Sequence, residues 1–307
     1  MKLRGAVTIF ALLAAPLLAA ERREVTTRSF PAPDGKLVLI DAGPLDLQVR
    51  AADIHDIRVR VELVAAAFSE AQAASWIELH RPTIEDSESQ LRIQAPDPSG
   101  ISLLKGVLVT RARIEVTLPP SVRPDLSTSS GTLRADGEFS VAKPLRLRTA
   151  SGDSEFTGWA SEIEVRSTSG DMQVHASRAI DTLMARTASG SLLLVGGART
   201  VRCDASSGDI HLEGLLGPVN AVTSSGSVVA RFDALGATDE VHVSTSSGKV
   251  RITLPPGSQP GGELRSAKGE IRSAYPGESD PKGGLLKLSG AGTKLTVTTT
   301  SGRIDLN

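Results

Sequence analysis

The sequence predicts an all-β protein, a β-solenoid of two-strand coils, and three observations carry that prediction. A Ser-Gly step recurs in series from residue 128 to the C-terminus, apolar residues alternate with polar ones on both sides of each step, and large rings are scarce. The 307 residues contain 29 Gly and 17 Pro but only six Phe, two Trp and one Tyr. A globular core of this size ordinarily uses more rings. A narrow interior filled by ladders of Val, Ile, Leu, Ala and Thr has little room for them.

The repeated units are TSSGTLRA (residues 128–135), TASGDSEF (149–156), STSGDMQV (167–174), TASGSLLL (187–194), ASSGDIHL (205–212), TSSGSVVA (223–230), TSSGKVRI (245–252) and TTSGRIDL (299–306), with SAKGEIRS (266–273) as a degenerate member. Their glycines are Gly131, Gly152, Gly170, Gly190, Gly208, Gly226, Gly248, Gly269 and Gly302, mostly 18 to 22 residues apart, with a last interval of 33. Registered on the glycine, apolar columns stand seven residues before (Leu145, Ile163, Leu183, Val201), five before (Leu147, Val165, Ala185, Cys203), two after (Leu133, Met172, Leu192, Ile210) and four after (Phe156, Val174, Leu194, Leu212). Residues between them are mostly polar, for example Arg146, Glu164, Arg166 and Arg202. Period-two alternation sends each column to one face, so a unit reads as strand, tight corner, strand and looser return. One such unit cannot bury its own stripe; stacked copies can. Roughly ten coils about 4.8 Å apart make a rod on the order of 50 Å long.

Glycine suits the corners because a positive φ costs it no Cβ clash, and the Ser and Thr before it can bond the turn's own backbone. On this reading Gly208→Val destabilises more than Gly197→Val, since Gly197 falls in a return loop.

The N-terminal 20 residues, MKLRGAVTIFALLAAPLLAA, have the basic start, apolar middle and small-residue end of a secretory signal peptide, with cleavage expected near Ala20. The apolar stretch is shorter than a membrane span needs, although a retained anchor is the alternative, and no cysteine stands at the cleavage site. The expected location is therefore periplasmic, extracellular or at the cell surface, with no transmembrane span after cleavage. Residues 21–121 read as less regular β coils, with strands at 37–40, 45–49, 57–64, 91–95 and 113–118 and a short helix at about 69–79. They form either the first, capping coils of the same solenoid or a separate small β-domain. Residues 122–307 are the Ser-Gly repeat solenoid, and residues 283–307 read as its last coil.

Composition limits the partners. Lys and Arg number 34 against 35 Asp and Glu, so the basic excess of a nucleic-acid binder is absent. The lone Cys203 excludes an intramolecular disulfide and falls in a column of small apolar residues, as a buried hydrophobe. Asp153, Asp171 and Asp209 follow corner glycines and read as turn polarity, with a calcium-binding edge as the alternative. His55, His80, His175, His211 and His242 have no paired metal spacing; His211 stands two residues from Asp209 on one face, without an identifiable third member of a triad. Trp76 and Trp159 read as covers for a coil end or loop. No catalytic, cofactor or metal residue emerges.

The signal segment, the irregular strands with a short helix, IEVTLPPSV (114–122), the serial Ser-Gly-Asp motifs and the second Leu-Pro-Pro strand VRITLPPG (250–257) together resemble the bacterial putative-adhesin family, a domain of unknown function. The resemblance spans the mature chain. It implies a β-solenoid of the cell envelope with no established catalytic residues; the long, flat faces of the repeat read as binding another envelope protein or a surface glycan, or as a scaffold. The motif's Asp is replaced here at Thr132, Ser191, Ser227, Lys249, Glu270 and Arg303. The other readings are a polysaccharide-active β-helix enzyme, which needs acidic residues clustered with Arg or Lys on one face, and an accessory or sensor protein of an envelope-stress system.

Overall fold

The computed structural model describes residues 20–96, 107–139 and 144–307. Residues 1–19 of the expected signal segment, and residues 97–100 of an expected loop, lie outside them. The first part contains β1 (Ala20–Pro31), β2 (Leu37–Asp41), β3 (Asp46–Ala51), β4 (Asp56–Ala67), α1 (Glu70–His80), β5 (Thr83–Asp86), β6 (Gln90–Gln94) and β7 (Val107–Leu118). The middle runs through β8 (Arg123–Thr128), β9 (Leu133–Phe139), β10 (Leu145–Thr149), β11 (Ser154–Ala160), β12 (Glu162–Ser167), β13 (Met172–Ala176) and β14 (Ile180–Ser189). It continues with β15 (Leu192–Val195), β16 (Ala198–Ser207), β17 (Ile210–Leu215), β18 (Val219–Ser225), β19 (Val228–Phe232), β20 (Glu240–Ser247) and β21 (Val250–Thr253). The chain ends with β22 (Gly261–Ser266), β23 (Ile271–Ser273), β24 (Gly277–Ser279), β25 (Leu285–Ser289), β26 (Lys294–Thr299) and β27 (Ile304–Leu306).

Two long open sheets face each other. One has 13 strands in the order β1-β4-β7-β3-β9-β11-β13-β15-β17-β19-β21-β27-β23, and the other 14 in the order β24-β25-β22-β26-β20-β18-β16-β14-β12-β10-β8-β2-β6-β5. Setting aside β1 and β4 from the first and β5, β24 and β25 from the second leaves eleven parallel strands in each, one pair per coil. The fold is thus a β-solenoid whose coils each give one strand to either sheet. The four apolar columns meet between the sheets: Leu145, Ile163, Leu183, Phe156, Val174 and Leu194 are all at most 1 % exposed. At the degenerate repeat Ile271 is only half-buried.

A fifth interior column stands three residues before the corner glycine, and apart from Ala205 it is made of hydroxyls. Thr149, Ser167, Thr223, Thr245, Ser266 and Thr299 are buried. The Thr149 Oγ1 accepts from the Gly152 N–H at 3.0 Å and donates to the Gly152 carbonyl at 2.8 Å. Ser167 and Ser266 accept the N–H of Gly170 and Gly269, both at 2.8 Å. Further along, Thr245 Oγ1 reaches the Gly226 carbonyl of the preceding coil at 3.0 Å. These bonds satisfy corner groups that the sheet ladder leaves unpaired, where an orphan would cost about 1–3 kcal/mol.

The corner glycines are required by space. A Cβ on Gly152 would run into the Gly131 carbonyl, one on Gly170 into Gly152, and so on through Gly190, Gly208, Gly226 and Gly248. Of the nine, Gly208 alone has a positive φ, +143°, so the expected left-handed corner conformation is not the reason. Close stacking of one corner's backbone on the next is. The supposed tolerance of Gly197 also fails, since its φ is +91° and a Cβ there would collide with the Gly214 carbonyl.

The same contacts give the spatial order of the last coils. Gly302 packs on Gly248, and Gly269 packs on Gly302. The C-terminal strands β26 and β27 therefore slot between β20/β21 and the earlier β22/β23, pairing in parallel on both sides. Residues 283–307 are thus not one last coil: β25 joins β24, β22 and β23 at the rod's end, while β26 and β27, last in sequence, lie one coil inside it. A matching arrangement stands at the other end, where β7 lies between β4 and β3 and β6 lies outside β2.

Each Leu-Pro-Pro motif marks the place where the chain skips a coil. After β7 it passes over β2/β3 to enter β8, and after β21 it passes over the slot of β26/β27 to enter β22. The two turns have the same hydrogen bond, Val122 N–H to the Pro119 carbonyl and Ser258 N–H to the Pro255 carbonyl, both at 3.3 Å. Proline favours an extended path and brings no N–H to pair.

The N-terminal end is covered by other means. Ser69 caps α1 by accepting the Gln72 N–H at 3.3 Å, and α1 buries Ala73 and Ile77 against the antiparallel β4 and its neighbours β1 and β7. At the mouth of β2, Lys36 is 2 % exposed, its ammonium donating to Asp86 Oδ1 at 2.5 Å and the Pro31 carbonyl at 3.0 Å.

Two stability predictions follow from these contacts. Thermal unfolding of Gly226→Ala should show a loss of about 2 kcal/mol or more, whereas Gly283→Asn, in open space at φ +69°, should change stability by less than about 0.5 kcal/mol because Asn tolerates that region. The Thr187 hydroxyl is buried without a partner, so Thr187→Val should be neutral or stabilising. Thr149→Val should instead lose about 1–2 kcal/mol by orphaning the Gly152 N–H.

Candidate functional site: the arginine face

In the 14-stranded sheet, the column four residues before the corner glycine faces outward. It places Arg148, Arg166 and Arg186 on the adjacent strands β10, β12 and β14, in direct register. They are 45 %, 53 % and 56 % exposed. Arg146 and Arg202 stand in the next outward column. Among the five guanidinium groups lie three carboxylates, each shared by two arginines: Asp125 and Glu164 in the second column and Asp204 next to Arg186 in the first. Asp125 meets Arg148 at 2.9 Å and Arg146 at 3.8 Å. Glu164 meets Arg166 at 2.5 Å and Arg146 at 3.0 Å. Asp204 meets Arg186 and Arg202, both at 3.5 Å. The two columns therefore hold two more positive charges than negative ones over these coils.

Burial alone would raise the Glu164 pKa, but hydrogen bonds from Arg146 and Arg166 outweigh it and hold the carboxyl below its ordinary range. A depressed carboxylate stabilises the fold above its unfolded value near 4.5, and that contribution disappears as pH falls through the lower folded value.

Between the arginines and the corner ridge runs an open groove of about 560 Å³, crossing β10, β12, β14 and β16 and including Thr168, Ala188, Ser206 and Val222. Exposed Met184 adds an apolar surface between Glu164 and Arg202. Among the described residues the opposite sheet has no such column: Arg134 there is paired with Glu155 at 3.0 Å, and Gln173, Leu193, His211 and Val229 follow in the same outward position.

The sequence-predicted candidates are placed elsewhere and have structural partners. Asp153 Oδ1 accepts the Asp171 N–H at 2.9 Å, Asp171 accepts the Ser191 N–H at 2.8 Å, and Asp209 accepts the Ser227 N–H at 2.7 Å. Asp46 does the same for Thr132 at 3.0 Å. Each carboxylate thus staples one corner to the next coil, which accounts for an acidic residue at that position without a metal. Among the described residues no group of three or more His, Cys, Asp or Glu is arranged to hold a metal ion.

His211 pairs with Glu213, not with Asp209: its Nε2 lies 2.8 Å from Glu213 Oε1. Cys203 is buried, and burial, with Asp204 beside it, pushes its thiol pKa far up. Trp159 donates to the Ala179 carbonyl at 3.3 Å and has the Arg178 guanidinium 4.0 Å from its ring centre. Trp76 stacks on His80 with centroids 4.1 Å apart, beside a second concavity of about 450 Å³ whose Asp46 is already committed to Thr132. The arginine column was readable by registering the sequence four residues before each glycine; its shared carboxylates lie a strand away and were not.

A two-sheet open solenoid with capped ends and one arginine-lined face defines the class. The chain belongs to the Toastrack DUF4097 family, which it matches over residues 121–197 and 196–307. Among solved structures, a putative adhesin from Parabacteroides merdae is 13 % identical over 92 % of this chain and 96 % of that chain, with a TM-score of 0.48. A putative adhesin from Parabacteroides distasonis is also 13 % identical, over 92 % and 97 %, with a TM-score of 0.46. A putative lipid binding protein from Parabacteroides distasonis is 15 % identical over 75 % and 96 %, at 0.37. None of the curated proteins matches this chain.

If the corner carboxylates are staples, Asp171→Ala should lower stability by about 0.5–1.5 kcal/mol, Asp171→Asn should lower it less, and millimolar calcium should leave the melting temperature of the parent protein unchanged.

Proposed function

We propose that the protein is exported and acts without catalysis, as a binding or scaffold solenoid of the bacterial cell envelope. One observation carries the reading: an open groove of about 560 Å³ runs along a flat face of the repeat region, lined by arginines in coil-by-coil register. Such a surface suits an extended partner held at many weak points rather than a small substrate enclosed for reaction. On this face Asp125, Glu164 and Asp204 are tied to arginines, and at the corners Asp153, Asp171 and Asp209 to backbone N–H groups. Export rests on the N-terminal 20 residues; among the described residues no helix is long and apolar enough to cross a membrane.

The chain expressed with a C-terminal tag in a bacterial host should be recovered from the envelope fractions with its N-terminus at or near Glu21, and the purified protein should co-sediment with isolated envelope material. Recovery of the intact chain from the cytosol, or failure to sediment with that material, would contradict the proposal.

A further inference from the structure

We infer that the arginine column binds a linear acidic polysaccharide laid along the solenoid axis, with sugar carboxylates bridged by Arg148, Arg166 and Arg186. This deepens the binding role proposed above and rests on it. Parallel register repeats the guanidinium group at each coil, about every 4.8 Å, so the three define a straight row parallel to the rod axis. A row of this kind recognises a polymer that repeats its charge along one line. Guanidinium is suited to the task, because its planar donors match a carboxylate in two-point contact.

The charge is available. Asp125, Glu164 and Asp204 each serve two arginines, leaving the two columns with a surplus of two, and the side chains of Arg148, Arg166 and Arg186 are about half exposed. The surroundings favour a sugar over other polyanions. Exposed hydroxyls of Thr168, Ser189 and Ser206 run along the ridge beside the row, and Met184 offers an apolar patch for a ring face. The groove lining contains no aromatic side chain on which a nucleobase could stack.

Polygalacturonate is the probe. At low salt the purified protein should bind it, and should bind neither dextran nor double-stranded DNA comparably. Replacing Arg148, Arg166 and Arg186 together by Gln should weaken binding by about tenfold or more with thermal unfolding retained. Replacing Arg134, Arg231 and Arg251 on the opposite sheet should change it by less than about twofold. Arg166→Lys, which keeps the charge and loses the planar fork, provides a second reading should the triple variant not fold, and should also weaken binding. Glu164→Gln should strengthen it.

The inference is overturned if the parent protein does not bind polygalacturonate, if Gln substitution on either sheet weakens it equally, if Arg166→Lys binds as the parent does, or if DNA binds as tightly. Envelope co-sedimentation separates the two levels: if it persists unchanged in the triple-Gln variant, the arginine assignment fails and the binding role stands, whereas its absence in the parent protein removes both.

Discussion

The structure depends on one constraint, the close approach of successive coils at the Ser-Gly corner. There the backbone of one coil lies against the backbone of the next with no space for a Cβ, along a line from Leu45 through Gly131 to Gly248, Gly302 and Gly269. The neighbouring residues follow from it. A buried hydroxyl three positions earlier satisfies corner groups that the parallel ladder misses, and an acidic residue one position later accepts an N–H from the next coil. Coil spacing set at the corner also sets the interior, where small and β-branched side chains stack above their own kind. The aromatic deficit is a property of this thin interior. Phe139 and Phe156, on neighbouring coils, pack 6.1 Å apart where rings do enter it.

Repetition alone would leave two open ends with unpaired strand edges. The chain closes them by departing from sequential order. At each end a strand pair inserts inside one laid down earlier or later in the sequence, so that the terminal segment becomes interior to both sheets or the cap is built outside it. The Leu-Pro-Pro turns make the skips possible. At the N-terminal end α1, β4 and β1 add a covering layer, and the buried ammonium of Lys36, paired with the partly exposed carboxylate of Asp86, draws β5 to the start of β2. Desolvation of the ammonium offsets much of the pair's attraction, so it fixes one arrangement more than it adds net stability.

Much of this was legible in the sequence because a corner glycine is a fixed register mark. The columns containing Leu145, Leu147, Leu133 and Phe156 fall where alternation sends them, and the helix predicted at 69–79 forms over Glu70–His80, capped by Ser69. Three things were not legible. The reason for glycine was misjudged, because φ is a local property and crowding comes from another coil. The interior place of β26 and β27 was not legible because sequence order ordinarily equals stacking order in a solenoid. The Leu-Pro-Pro motifs served only as marks of resemblance, since a skip leaves no trace until strands are paired. The arginine face is an intermediate case: its column is in the sequence, while its charge surplus depends on which carboxylate reaches which arginine across strands.

Hydrogen exchange read by mass spectrometry on the C-terminal segment tests the central claim, that backbone contact at the corners and not order along the chain sets the stacking. With β26 and β27 bonded on both sides, amides of residues 294–306 should be protected as strongly as those of β18 and β20 in the middle of the rod. Exchange there as fast as at a frayed chain end, with β22 and β23 the better protected, would contradict the account.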